Sequence, residues 1–230
     1  MLVFTHIPRT GGTSLRNVIS NQIANCRFID SFSEFSFLSD KELNSYDFIA
    51  THCGYGIFNR INRDHRKIIL LRDPIERIIS QYFYLRQLGN DVSYSSHYAK
   101  NLTIQEFVCL ENPAVQISIS NSQMWHLIED KNIFFRNKYL SRSDSELLDM
   151  ALLHLSKYDF IGFTHNLSSI MNKLSETYGL GMLPMNIPHI GESRRSNIDK
   201  LESDTINTIL SKVSMDVMLY NKAMELFGSA

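Results

Sequence analysis

From its start to Leu88 the chain alternates short apolar runs with helical stretches, and this alternation limits the fold more than any other feature. Residues 2–7 form an apolar strand, followed by a Gly-containing turn and a helix over residues 14–24. Residues 47–51 and 67–71 supply two further apolar strands. Asp73-Pro74-Ile75-Glu76 then reads as a helix start: Asp73 caps, Pro74 suits the first helical position, and Glu76 completes a capping box. That helix runs to about Leu88 and stops at Gly89. Thr103 with Glu106, and Ser143 with Glu146, carry the same capping spacing. Residues 158–163 read as a later strand, 166–178 as its helix, and 204–227 have apolar residues at helical spacing. Strands alternating with helices argue for a parallel sheet, so the expectation is an α/β fold. A central parallel sheet is flanked by helices, with a helix-rich C-terminal half, in one domain over residues 1–230. In such folds ligands lie beyond the carboxyl ends of the strands.

Hydrophobic residues make up 43% and charged residues 20%, so the chain can build a core and is not dominated by disorder. The net charge of -1 gives no overall field for nucleic acid or an acidic membrane, and any anion site must be built locally. Cys26, Cys53 and Cys109 are too few and too scattered for a disulfide framework or a zinc site. No secretory signal is visible, and the longest aliphatic run, Ile68-Ile69-Leu70-Leu71, is too short to cross a bilayer. Taken as a complete chain, it reads as cytoplasmic.

Two segments carry anion-binding chemistry. His6-Ile7-Pro8-Arg9-Thr10-Gly11-Gly12-Thr13-Ser14-Leu15 joins a strand to a helix. Gly11 and Gly12 let the backbone turn tightly with its N–H groups near an anion, and the helix start adds its positive end. Thr10, Thr13 and Ser14 add hydroxyls, and Arg9 adds a full charge. A Gly turn with no ligand is the plain alternative for the glycines alone. No Gly-Lys-Ser/Thr triplet is present, so this is not the nucleotide triphosphatase loop. In Leu71-Arg72-Asp73-Pro74-Ile75-Glu76-Arg77-Ile78-Ile79-Ser80, Arg72 ends a strand and Ser80 lies about two turns into the next helix. An Arg fork and a hydroxyl converging there suit a second phosphate. Asp73 and Arg77, at i and i+4, read as an ordinary helix ion pair.

The first segment resembles the 5'-phosphosulfate loop of the sulfotransferase family that includes the heparan sulfate 2-O- and 6-O-sulfotransferases, and the second resembles that family's 3'-phosphate motif. Weaker matches are Tyr158-Asp159-Phe160-Ile161-Gly162 for a core strand, Asn121-Ser122-Gln123-Met124 for a helix, and residues 216–223 for the C-terminal helix. The resemblance implies a P-loop-like fold. It also implies transfer of a sulfuryl group from 3'-phosphoadenosine 5'-phosphosulfate (PAPS) to an acceptor hydroxyl, releasing the bisphosphate PAP, with no catalytic metal. One departure stands out: the family usually has Lys where this chain has Arg9.

The acceptor hydroxyl needs a base. Of eight histidines, His52, in Ala50-Thr51-His52-Cys53-Gly54-Tyr55-Gly56, follows a strand and opens a loop at the sheet edge shared by both phosphate segments. The family carries its catalytic His in a comparable loop. His6 reads as orienting or core, and His97, His126 and His189 are unplaced. Late loops of the family close over the 3'-phosphate, which makes Ser193, Arg194 and Arg195 candidates; a solvated basic turn is the alternative. Arg60, Arg63, His65, Arg66 and Lys67 form a basic cluster that either attracts an acidic glycan or is a solvated face. The resemblance points to a carbohydrate acceptor, and Tyr55, Tyr82, Tyr84 and Trp125 are either sugar platforms or core. A small molecule also fits. The competing functions are a nucleotide phosphotransferase with an unusual loop and a nucleotide- or glycan-binding module without activity.

Overall fold

The computed structural model describes residues 1–88, 93–129, 136–180 and 201–228. β1 (Leu2–Thr5) leads into α1 (Gly12–Ser20), and β2 (Cys26–Ile29) into the short helices α2 (Phe32–Phe37) and α3 (Asp40–Leu43). β3 (Phe48–Thr51) is followed by a 3-10 turn (Tyr55–Arg60), and β4 (Arg66–Leu71) by α4 (Pro74–Gln87). A helical layer follows: α5 (Tyr94–Asn101), α6 (Ile104–Cys109), α7 (Pro113–Ile119), α8 (Ser122–Ile128) and α9 (Asp144–Leu155). β5 (Phe160–Phe163) and α10 (Leu167–Tyr178) return to the sheet, and α11 (Ser203–Lys212) and α12 (Ser214–Phe227) close the described chain.

The five strands are all parallel in the order β2-β3-β1-β4-β5. β1 is central, with strands added on either side of it, so the loops after β1, β3 and β4 open into one crevice. Burial on both faces explains the unbroken apolar run in β4. Ile69 and Leu71 pack against Met124, Leu127, Leu155 and Leu219, whereas Ile68 and Leu70 pack against Leu15, Ile19, Ile170 and Leu174. A further cluster lies off the sheet, where Ile78, Ile79 and Tyr82 of α4 meet Phe107, Val115, Ile119 and Ile209.

The expected fold class holds: α/β, with a parallel sheet between helical layers and a helix-rich C-terminal half. The capping boxes at Thr103/Glu106 and Ser143/Glu146 are present. Asp73 caps α4 by accepting from the Glu76 N–H at 2.9 Å, but the Glu76 carboxylate goes to Arg72 and no box closes. β2 was not expected from the sequence: it is an edge strand that carries Arg27, and its apolar pattern is short.

The C-terminal stretch divides into two helices because Asn121 Oδ1 accepts from the N–H groups of Met215 and Asp216, at 3.0 and 3.1 Å, and caps α12. Asp216 returns the contact. Its carboxylate accepts from the N–H groups of Gln123 and Met124 at 3.1 and 2.8 Å and caps α8.

Arg77 is a correction to the surface ion pair expected with Asp73. It is fully buried, and Nη2 donates to the carbonyls of Ser118 and Ile119, the last residues of α7, at 3.1 and 3.2 Å. The reason is that α4 is covered by α5, α6, α7 and α11, so helical spacing alone does not say which face meets water. Burial weakens Arg77's hold on its proton, the charge of Asp216 opposes that, and Arg72 adds to it. Burial also pushes the Asp216 carboxyl up, with Arg77 pulling it back. Asp216→Ala removes a cap and the carboxylate that opposes a buried guanidinium, so it should cost about 3–5 kcal/mol, read as a lower urea midpoint. A loss below about 1 kcal/mol would contradict this account of the helical layer.

Candidate active site

The loop after β1 is built to curl. Arg9 and Gly11 have left-handed backbones, with φ of 72° and 86°, and Gly11 is the N-cap of α1. Gly12 is needed for a different reason. A Cβ there would lie 2.1 Å from the His6 ring and 2.8 Å from the Phe4 ring, so only glycine lets α1 start directly over the end of β1. Thr10 is buried and its hydroxyl donates to the Ile7 carbonyl at 2.9 Å, holding the loop from inside. The hydroxyl proton is thereby committed to the loop, and the backbone N–H is the donor that Thr10 can offer a ligand. The Thr164 hydroxyl pins the loop to the end of β4, with the Thr10 carbonyl at 2.7 Å and the Leu71 carbonyl at 3.2 Å. Thr13 is exposed and Ser14 half-buried in the first turn of α1, where the backbone N–H groups have no helical partner.

The second segment meets the first directly. Arg72, 8% exposed, donates through Nη1 to the Arg9 carbonyl at 3.2 Å and through Nε and Nη2 to Glu76 at 3.3 Å. Arg9 Nε donates to the hydroxyl of the buried Ser80 at 3.1 Å, and its guanidinium lies over the Tyr84 ring, 4.4 Å from the centroid. Arg9, Arg72 and Ser80 thus belong to one hydrogen-bonded cluster, although their segments are far apart in the chain.

His52 stands at the end of β3. Its Nδ1 lies 2.6 Å from the His6 carbonyl, which can only accept, so Nδ1 donates and Nε2 carries the lone pair of the neutral ring. Nε2 is 3.6 Å from the carboxylate of Asp30, which directly follows β2 and is 74% exposed. The His52 ring tilts against His6 (4.6 Å) and meets Phe28 edge-on (5.1 Å), and the Arg16 guanidinium lies over the far ring (4.3 Å). His6 is buried and stacked on Phe4, and it orients His52 through its carbonyl. His126 and His154 donate to helix carbonyls away from this edge.

Ser193, Arg194, Arg195 and His189 lie outside the described residues. The arginines of the basic cluster after the His52 loop are all engaged within the chain. Arg60 binds Asp40 and the Phe35 carbonyl, Arg63 binds the carbonyls of Asn44 and Tyr46, and Arg66 pairs with Asp159. Tyr82 is core, Tyr55 and Trp125 pack against the core, and Tyr84 alone of the four aromatics faces the arginine cluster. Among the described residues no group of His, Cys, Asp and Glu is placed to hold a metal, and no helix is long and apolar enough to cross a membrane. Gln123, Asp30 and Thr164 were not found by sequence reasoning; for Gln123 the only signal was its place in a segment with a family likeness.

Gly12→Ala should cost about 1–3 kcal/mol, because the new methyl overlaps the His6 and Phe4 rings. Denaturant unfolding reads this, and an unchanged midpoint would mean that α1 does not press on β1 as described.

A family model described as the sulfotransferase family matches residues 1–227. A search of curated proteins finds no match to the chain. With the match running over nearly its whole length, and with two strand-to-helix segments meeting at the edge of a parallel sheet, the chain belongs to the sulfotransferase family, whose members transfer sulfuryl groups to hydroxyl acceptors.

Proposed function

We propose that this protein transfers the sulfuryl group of PAPS to a hydroxyl on a carbohydrate, with His52 as general base. One observation carries the reading. A glycine-turned helix start, Arg9, Arg72 and Ser80 share a sheet edge with a histidine whose Nε2 is its basic nitrogen.

Sulfuryl transfer asks for in-line attack, a stabilised leaving group and exact positioning more than for covalent help from the protein. The 5'-phosphosulfate lies on the N–H groups of Thr10, Gly11 and Gly12, with the Thr13 and Ser14 hydroxyls and the charge of Arg9. The 3'-phosphate lies against Arg72 and Ser80, with Ser193, Arg194 and Arg195 as further contacts. The acceptor oxygen bonds to sulfur as the bond from sulfur to the 5'-phosphate oxygen breaks. The hydroxyl proton goes to His52 Nε2, and the electron pair left on the phosphate oxygen is offset by Arg9. Arg9 is suited to this place because its carbonyl and its guanidinium belong to the same cluster as Arg72 and Ser80. Its planar fork differs from the usual Lys in geometry, so the cation is aimed by Ser80 and Tyr84. The exposed Asp30 carboxylate lies 3.6 Å from Nε2, a place from which it can accept from a hydroxyl next to the one attacked, as on a sugar. A phosphotransferase reading lacks support: the loop has no Gly-Lys-Ser/Thr triplet.

PAP at about 100 times its dissociation constant should stabilise the protein by about 2.7 kcal/mol without Mg²⁺, raising Tm by about 5 °C or more. Stabilisation by ATP with Mg²⁺ and none by PAP would replace this reading with the phosphotransferase. His52→Ala should keep the PAP shift and lose about 100-fold or more in PAPS turnover over a panel of sugar acceptors. Near-normal turnover in that variant would remove His52 as the base, and no turnover in the wild type on any acceptor would favour a binding module.

A further inference from the structure

We infer that Gln123 is a positioning residue for the 3'-phosphate of the donor, acting through Arg72; this rests on the donor site proposed above. Gln123 sits in the first turn of α8 and is 1% exposed. Its Oε1 accepts from the Arg72 N–H at 2.9 Å, and its Nε2 donates to the Arg72 carbonyl at 2.8 Å. The side-chain amide therefore pairs with both backbone polar groups of one residue, as a neighbouring strand would. Arg72 is the first residue beyond β4, where the strand ladder has ended and the chain turns into α4. The two bonds continue the ladder by one residue and fix the direction in which the Arg72 side chain leaves the backbone.

Gln123 is itself held. Its own N–H donates to Asp216 at 3.1 Å, beside the bond from Met124 to the same carboxylate, and Asn121 caps α12 in return. The path from the buried Asp216 to the sheet edge thus runs through the backbone and side chain of Gln123 to the backbone of Arg72. Few side chains can replace it. Met keeps the volume and loses both bonds; Glu can accept from the Arg72 N–H but sets a second oxygen against the Arg72 carbonyl; Asn is a methylene too short.

The test compares PAP with 5'-AMP, which lacks the 3'-phosphate, by calorimetric titration of wild type, Gln123→Met and Gln123→Glu. The wild type should bind PAP at least about tenfold more tightly than AMP. In both variants PAP affinity should fall about tenfold while AMP affinity stays within about twofold, so that the preference collapses. A preference kept in full by the variants would overturn the inference. So would an equal loss of both nucleotides, or a variant that binds neither and has lost its cooperative melt, since either marks a general structural role. A wild type that does not prefer PAP would refute the donor site, and this inference would fall with it.

Discussion

The contact between Arg72 and the carbonyl of Arg9 brings two arginine-bearing segments together, and the rest of the site depends on it. Arg72 is almost wholly buried, Arg77 lies fully buried nearby, and Arg9 is held against Ser80 in the same cluster. Like charges collected in a low-dielectric edge repel one another, so they persist only where the surrounding structure holds them. Glu76 pairs with Arg72, Asp216 opposes Arg77, and helix-end carbonyls take the Arg77 guanidinium. This compensation holds Arg9 and Arg72 together at the sheet edge, beside the positive end of α1.

Fold and chemistry are joined through the helical layer. α8 and α12 cap each other through Asn121 and Asp216, and the same turn of α8 clamps the Arg72 backbone through Gln123. A change in the packing of the C-terminal helices therefore reaches the sheet edge by a short path of hydrogen bonds. On the other side of β1, the His6 carbonyl fixes the His52 ring, and the His6 ring in turn demands glycine at the start of α1. His52 and the glycine-turned loop are set by the same strand end.

Much of this was legible in the sequence. The strand-to-helix joints at residues 6–15 and 71–80 carry their signals locally: an apolar run, glycines or a proline, and hydroxyls with an arginine. His52 was legible because it follows an apolar strand into a glycine-containing loop. What was not legible depends on contacts between distant segments. Gln123 and Arg72, or Asp216 and Met124, meet only once the helices have packed, and no local pattern marks the pairing. Arg77 was misread because the i, i+4 rule describes an exposed helix face, and α4 is enclosed. Asp30 was missed with β2, an edge strand whose apolar alternation is too short to register.

The most direct test of the central claim is a crystal structure with PAP bound. The account predicts the 5'-phosphate on the loop from Arg9 to Ser14, the 3'-phosphate in contact with Arg72 and Ser80, and His52 Nε2 facing the place from which the sulfuryl group has left. PAP bound elsewhere, or in this crevice with its 3'-phosphate away from Arg72 and Ser80, would contradict it.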